Sequence, residues 1–301
     1  MSQPTVTDTI AQIAVDWYAR HARDLPWRHA DATPWAVLVS EVMLQQTPVV
    51  RVLPVFEEWL ARWPTPAALA TDSAAEAIRR WGRLGYPRRA LRLHACAVAI
   101  VERHDGDVPS DVEKLLALPG IGTYTAHAVA AFAYDLRVPV VDTNVRRFVA
   151  RVVQGLPDAG AATTTADLRR VEELLPAEPA VAARASAAFM EIGAVLCTAK
   201  SPTCARCPFA ASCAWRATGT PLPAGPSRKL QGYAGTERQI RGALMAVLRA
   251  AEGPVPRTAL DAAWPEAARR ERALRTLLTD GLAEEIAPGV FALPGDGPGG
   301  L

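Results

Sequence analysis

"LALPGIGTYTAHAVAAFAY", residues 116–134, decides how this chain is read. Pro119-Gly120 ends one apolar-periodic segment, Ile121-Gly122 completes a tight turn, and a second helix starts near Thr123. Leu118, Gly120 and Gly122 frame that turn. Glycines at such a place let backbone N–H groups approach an anion at the N-terminus of the second helix, which grips a nucleic-acid phosphate without reading a base. The stretch reads as a helix-hairpin-helix; standing alone, it would be read as an ordinary corner between two helices.

The segments on either side carry helical periodicity. They fall near 8–20, 35–46, 48–61, 73–81, 88–103, 111–118, 123–134, 143–154, 165–175 and 180–196. Ser73 with Glu76 and Ser110 with Glu113 fit the capping-box spacing, and Thr47-Pro48 reads as an N-cap followed by Pro at the first helical position. Only "RVPVV" before Asp142 looks extended, so this part is all-α. Residues 217–236, "ATGTPLPAGPSRKLQGYAGT", have no hydrophobic period and read as a linker between a domain at 1–216 and a module at 237–301. In the module, helices near 237–251, 257–264 and 267–282 precede a hairpin, "LAEEIAPGVFALPG", turning at Pro288-Gly289. That order is α+β and winged-helix-like.

A second tract, "CTAKSPTCARCPFAASC", places Cys197, Cys204, Cys207 and Cys213 at C-x6-C-x2-C-x5-C. The chain has no apolar run of membrane-spanning length, and Asp8, Asp16 and Asp24 stand where a secretory signal would be basic and then greasy. It therefore reads as soluble and cytoplasmic, where clustered cysteines are metal ligands before they are disulfides. Cys96 lies on an apolar helix face and reads as core. Four thiolates at this spacing, with Pro208 after the third, suit a [4Fe–4S] cubane whose irons each take one ligand. Tetrahedral zinc is the alternative, usually built from paired knuckles of which the tract offers one.

A formal charge of +2 over 301 residues conceals arginine runs, "RRWGRLGYPRRALR", "NVRRFVAR" and "ARRERALR". Each suits a local phosphate-facing patch or a solvated helix face. Arg269, Arg270, Arg272 and Arg275 in particular read as one basic stripe on a helix at 267–279.

With the hairpin and the cysteine tract together, residues 8–215 resemble the endonuclease III superfamily of DNA glycosylases, and "SEVMLQQT" narrows the resemblance to the MutY adenine glycosylases. The resemblance implies hydrolysis of the N-glycosidic bond of adenine mispaired with 8-oxoguanine or guanine in double-stranded DNA. It also implies a [4Fe–4S] cluster and a role in base excision repair at the nucleoid, by a chain taken to be monomeric. A carboxylic acid must protonate the leaving purine while a carboxylate faces the oxocarbenium ion. Glu41, among the apolar residues of "PWAVLVSEVML", would have its pKa raised and serve as the acid. Asp142, at the start of "TNVRRFVAR", would be kept ionised by N–H donors and the helix dipole and face the cation. The family's catalytic pair falls on these two positions.

Asn144 resembles the residue that helps place the attacking water, and Tyr124 occupies the place where lyase members carry a catalytic Lys. Without an amine there is no Schiff base, so the enzyme would be monofunctional. By resemblance Gln45 and Gln46 form the loop that wedges the opposing base, Leu25, Trp27 and Arg28 line the adenine pocket, and Gly85 and Tyr86 lie in a DNA-contacting loop. Two positions depart from the family pattern: Pro87 follows "GY" where a second Tyr is usual, and Ala187 replaces a polar residue ten before the first cluster cysteine. The segment after the linker is too short for the family's Nudix-like domain, and the stripe on the module is read as its partial substitute. Two other readings remain open here, a thymine-specific G·T mismatch glycosylase and an iron–sulfur redox-sensing DNA-binding regulator.

Overall fold

The computed structural model describes residues 6–160, 162–220, 232 and 234–297. Most of the expected linker, residues 221–231 and 233, lies outside the described residues. The helices are α1 (Val6–His21), α2 (Pro34–Leu44), α3 (Val49–Arg62), α4 (Pro66–Ala70), α5 (Ala74–Trp81), α6 (Arg88–His104), α7 (Val112–Leu116), α8 (Thr123–Tyr134), α9 (Thr143–Val152), α10 (Thr165–Leu174), α11 (Pro179–Val195), α12 (Ala214–Ala217), α13 (Glu237–Ala250), α14 (Arg257–Ala262) and α15 (Ala267–Thr279). Among the described residues the strands are β1 (Val255–Pro256), β2 (Glu284–Ala287) and β3 (Val290–Ala292), all in the C-terminal segment. "RVPVV", expected to be extended, is neither helix nor strand.

The chain divides into two compact units. One takes the described residues of Met1–Leu38, Ser110–Ala117 and Ile121–Pro226; the other takes those of Val39–Pro109, Leu118–Gly120 and Ser227–Leu301. In the first, α11 packs against α1, α8 and α9. Alanines 182, 185 and 188 keep α11 slim, and Phe189 stacks on Phe148 at 5.2 Å, with Phe209 edge-on to Phe148 at the same separation.

In the second unit, Trp59 meets Trp63 and Trp81 edge-on at 4.6 and 5.7 Å, all three buried. The C-terminal segment belongs to this unit. Helix α13 packs on α5, and Arg79 of α5 binds both the Ala251 carbonyl and Asp296. Arg88 and Arg241 share Asp280. The segment runs α13–β1–α14–α15–β2–β3 with antiparallel strand order β1-β3-β2; three helices and a closing hairpin are the order expected from the sequence, and the short β1 is an addition to it.

Several local expectations are corrected. Pro48, not Thr47, is the N-cap of α3; the Thr47 hydroxyl instead donates to the Gln45 carbonyl. Asp111, not Ser110, caps α7 by accepting from the Lys114 N–H. Ser73 does cap α5, but the return half of its box is missing because Glu76 reaches Arg80. A complete capping box forms at Thr164 and Asp167. The arginine stripe on α15 is largely neutralised: Arg272 lies 3.3 Å from Glu237, and Arg269 is flanked by Glu237 and Glu266. Arg270 Nε is 2.8 Å from Asp261, close enough to pair though not aligned as a hydrogen bond. Charge period along a helix cannot show that acids on neighbouring elements are already in place.

Candidate active site

Asp142 follows "RVPVV" and caps α9. One oxygen accepts the N–H groups of Asn144 at 2.8 Å and Val145 at 2.7 Å, and the other accepts the Asn144 side-chain amide at 2.6 Å. The capping donors are those expected, yet the titration differs from expectation. Burial raises the Asp142 carboxyl above the ordinary aspartate range and outweighs the three donors and nearby Arg147. Asp142 is therefore held rigidly and made more basic.

Asn144 is clamped from its other side, where its side-chain Oδ1 accepts from Arg147 at 2.8 Å. Arg147 continues to the carbonyls of Gly193 at 2.7 Å and Cys197 at 2.6 Å. Gly193 is needed here. A β-carbon at that position would lie 2.5 Å from the Asn144 carbonyl oxygen, inside any permitted contact. One hydrogen-bonded path thus runs from Asp142 to the first cysteine of the tract.

The four cysteines are free thiols lining a single cavity with Val152, Leu196, Pro202 and Trp215. Burial pushes the Cys207 thiol up to about 11 and raises Cys197 as well. Arg151 is buried beside them, its Nη1 3.6 Å from Cys197 Sγ and its guanidinium 4.3 Å above the Trp215 ring. Trp215 is core, whereas Lys200, Arg206 and Arg216 of the same tract are exposed. Among the described residues no three His, Cys, Asp or Glu side chains are gathered as ligands to one metal ion. Four cysteines lining one cavity can give one thiolate to each iron of a four-iron cluster, so the residues present fit that group.

Leu25, the N-cap of a 3₁₀ turn at Pro26–Arg28, and Trp27 within that turn are both buried. Arg28 reaches Glu191 Oε2 at 2.8 Å while Arg23 takes Oε1 at 2.6 Å. Glu191 is fully buried, and although burial opposes ionisation, the two guanidiniums pull its carboxyl down to about 2. Arg28 also lies 5.4 Å over the Tyr18 ring. Sequence reasoning missed Glu191. Its signal was a lone acid in the apolar run "AAFMEIGAV", one helical turn beyond Ala187.

Gly120 has φ +78, and a β-carbon there would sit 2.7 Å from Arg92 Cβ, so only glycine fits the turn. Gly122 is the N-cap of α8, whereas the Leu118 side chain is buried and leaves only backbone for a ligand. Tyr124, in the first turn of α8, is half-buried, and its hydroxyl lies 3.9 Å from Met190 Sδ on α11.

In the other unit, Glu41 is buried on α2 beside Ser40, Val42 and Met43. Gln45 is half-buried at the helix end; Gln46 is exposed with φ +54. Gly85 and Tyr86 are exposed between α5 and α6, Tyr86 with φ +49. Arg89, buried close to both loops, is a second residue that sequence reasoning passed over.

A helical hairpin closed by an obligatory glycine, an aspartate capping the next helix, and a four-cysteine tract tied to that aspartate define the class of helix-hairpin-helix DNA-repair enzymes. Residues 39–173 match the family described as "HhH-GPD superfamily base excision DNA repair protein". The chain is 55% identical over 282 residues to an adenine DNA glycosylase of Mycobacterium tuberculosis (strain CDC 1551 / Oshkosh), covering 93% of this chain and 92% of that one. It is 54% identical over 288 residues to an adenine DNA glycosylase of Mycolicibacterium smegmatis, covering 95% and 96%. The solved structure of a thermostable thymine-DNA glycosylase superposes with a TM-score of 0.63 at 22% identity, over 70% of this chain and 97% of that one, and shares the fold. The chain belongs to the adenine DNA glycosylase family of the HhH-GPD superfamily. Membership sets aside the regulator reading. No helix among the described residues is long and apolar enough to cross a membrane.

Proposed function

We propose that this enzyme hydrolyses the N-glycosidic bond of adenine mispaired with 8-oxoguanine or guanine in double-stranded DNA, and leaves the abasic strand intact. The observation that carries the mechanism is the three-donor clamp on Asp142. Glu41 holds the proton that passes to adenine N7, so that the base leaves neutral and C1′ is left as an oxocarbenium ion. Asp142 faces that cation, and its raised basicity suits it to accept the proton released when water adds to C1′. Asn144 and Arg147 keep the carboxylate from rotating. Tyr124 supplies no amine, which supports a single hydrolytic step without strand cleavage.

Arg28, fixed by Glu191, and the buried Leu25 and Trp27 form the adenine pocket. Gln46 and Tyr86 enter the duplex, while Gly120 and Gly122 offer backbone N–H groups to a phosphate. Cys197, Cys204, Cys207 and Cys213 hold a [4Fe–4S] cluster. When bound, the cluster supplies four metal–thiolate cross-links that close residues 197–213 into one loop. The enzyme works in the cytoplasm, at the nucleoid.

The test is single-turnover cleavage on A·8-oxoguanine, A·G and T·G duplexes, with heat and alkali added after the reaction. Adenine release from the first two, nicking only after alkali, and loss of release in Glu41→Gln with duplex binding retained are expected. Preference for T·G would transfer the enzyme to the thymine reading, and prompt nicking without alkali would contradict the monofunctional one.

A further inference from the structure

Arg89 is the second residue of α6 and is buried, yet every hydrogen-bond acceptor it meets among the described residues is a carbonyl or hydroxyl oxygen. Its Nη1 faces the carbonyls of Val42 at 2.9 Å, Met43 at 3.0 Å and Gln45 at 2.6 Å; its Nη2 takes the Thr47 hydroxyl at 2.9 Å and the Gly85 carbonyl at 3.1 Å. The guanidinium also lies 5.1 Å from the Trp81 ring centre and 5.5 Å from that of Tyr86. Burying a cation without a carboxylate is costly unless its donors are used, and here both Nη groups are used, whereas the buried Nε has no hydrogen-bond partner among the described residues. Val42, Met43 and Gln45 offer the carbonyls at the C-terminal end of α2, where the helix dipole is negative and carbonyls lack helical partners.

The acceptors belong to two separate stretches, and each carries an exposed side chain on a left-handed backbone. Gln46, with φ +54, lies between the two acceptors Gln45 and Thr47; Tyr86, with φ +49, follows Gly85. Such a conformation is unfavourable for a residue with a side chain and persists only where neighbours enforce it. One planar fork is bonded on both sides. It fixes the spacing between Gln46 and Tyr86.

We propose that Arg89 is a positioning residue that holds the Gln46 and Tyr86 loops in register, so that the two side chains enter duplex DNA as one preset wedge. The inference rests on the reading that Gln46 and Tyr86 meet DNA, and a helix cap of purely structural value is what it must be told apart from. Binding to a wedge already in place avoids ordering two loops on contact.

The test uses the full-length, cluster-loaded protein and an end-labelled duplex carrying adenine opposite 8-oxoguanine. Dissociation constants are measured for the native protein, Arg89→Met, Q46A/Y86A and the triple variant. Arg89→Met is expected to weaken binding roughly tenfold in the native background and less than about twofold in Q46A/Y86A, because coupled residues are not additive. An equal loss in both backgrounds would make Arg89 a structural cap and overturn the proposal. Native binding by Arg89→Met beside impaired Q46A/Y86A would overturn it too and leave the DNA contacts standing. Native binding by Q46A/Y86A would remove the reading beneath it and the proposal together. Should Arg89→Met fail to fold, Arg89→Lys keeps the charge with three donors. That variant is expected to bind severalfold more weakly, with added hydrogen–deuterium exchange confined to residues 44–48 and 84–88; native exchange and binding in Arg89→Lys would refute the proposal.

Discussion

Arg147 donates to the carbonyl oxygen of Cys197 at 2.6 Å, so the helix that Asp142 caps is tied directly to the start of the cysteine loop. The same guanidinium holds Asn144, which holds Asp142. Replacing Arg147 by Met removes both ends of the path and leaves buried acceptors unpaired. Charge-assisted bonds of this kind contribute about 1.5–3 kcal/mol each, so the single-turnover rate should fall by roughly 10- to 100-fold. Iron content per chain should fall in the same preparation. A normal rate with full iron would show that the path carries no constraint.

Asn144 makes a prediction about pH. Its amide favours the ionised form of Asp142, whereas burial favours the neutral form and prevails. Removing the amide in Asn144→Ala raises the Asp142 pKa further, so the acid limb of the single-turnover pH–rate profile should move to higher pH. The plateau should fall as well, because Arg147 then loses its acceptor. An unmoved acid limb would assign that limb to another group.

Glu191 links stability to acid. Its carboxyl falls from an ordinary value of 4.5 to about 2 in the folded protein, so the stability it adds is complete above about pH 4.5 and disappears as pH falls through about 2. A shift of this size corresponds to roughly 3 kcal/mol, an upper figure because Arg23 is partly exposed. Glu191→Gln should therefore unfold more readily than the native protein at neutral pH, with the difference closing toward pH 2 in denaturant titrations. Its KM should rise as Arg28 is released.

How much of this was legible depended on how local each feature was. The hairpin at Pro119-Gly120, the start of α8 at Thr123 and the run of helices follow from turn chemistry and apolar period, which act within a few residues. Caps were less legible: with Thr47 beside Pro48, or Ser110 beside Asp111, either neighbour can cap, and the backbone angles select one. Glu191 and Arg89 were missed for a different reason. The partners of Glu191 lie 163 and 168 residues away, and those of Arg89 other than nearby Gly85 lie 42–47 away, so a lone acid in an apolar run and one arginine in a basic run do not disclose what they bind. Trp215 is buried too, its ring a floor for Arg151 on a helix distant in sequence.

Gly193 permits the close approach of α11 to the first turn of α9. Adding one methyl group sets a carbon 2.5 Å from the Asn144 carbonyl oxygen and 2.9 Å from Asn144 Cβ, so one helix must move. Gly193→Ala should cost about 1–3 kcal/mol by overpacking. It should lower the single-turnover rate more than duplex affinity, since the displaced residue is the clamp on Asp142. Crystallography of the variant would show the Asn144 side chain shifted; an unshifted clamp with a lowered rate would break the argument.

The C-terminal segment yields the last prediction, because its structure reverses the expectation drawn from its charges. A phosphate-binding stripe would add about 0.9 to the salt slope of DNA binding for each arginine used, or roughly 2.7 for three. Arg269, Arg270 and Arg272 already face Glu237, Glu266 and Asp261, and leaving those acids would offset what a phosphate gives. Replacing the three together by Gln should change the slope by less than about one. What the segment does offer is packing: Arg79 binds Asp296 and the Ala251 carbonyl, and Asp280 joins Arg88 to Arg241. Arg79 is mostly buried, so Arg79→Ala leaves an acid and a carbonyl unpaired and should cost about 1–3 kcal/mol. Thermal unfolding should then begin earlier in Arg79→Ala while the slope of log K against log salt stays native; the triple Gln variant, which takes mostly buried Arg270 from Asp261 and the Trp264 carbonyl, should also unfold earlier, with little change in slope. A slope reduced by two or more in the triple variant would restore the stripe as a DNA contact.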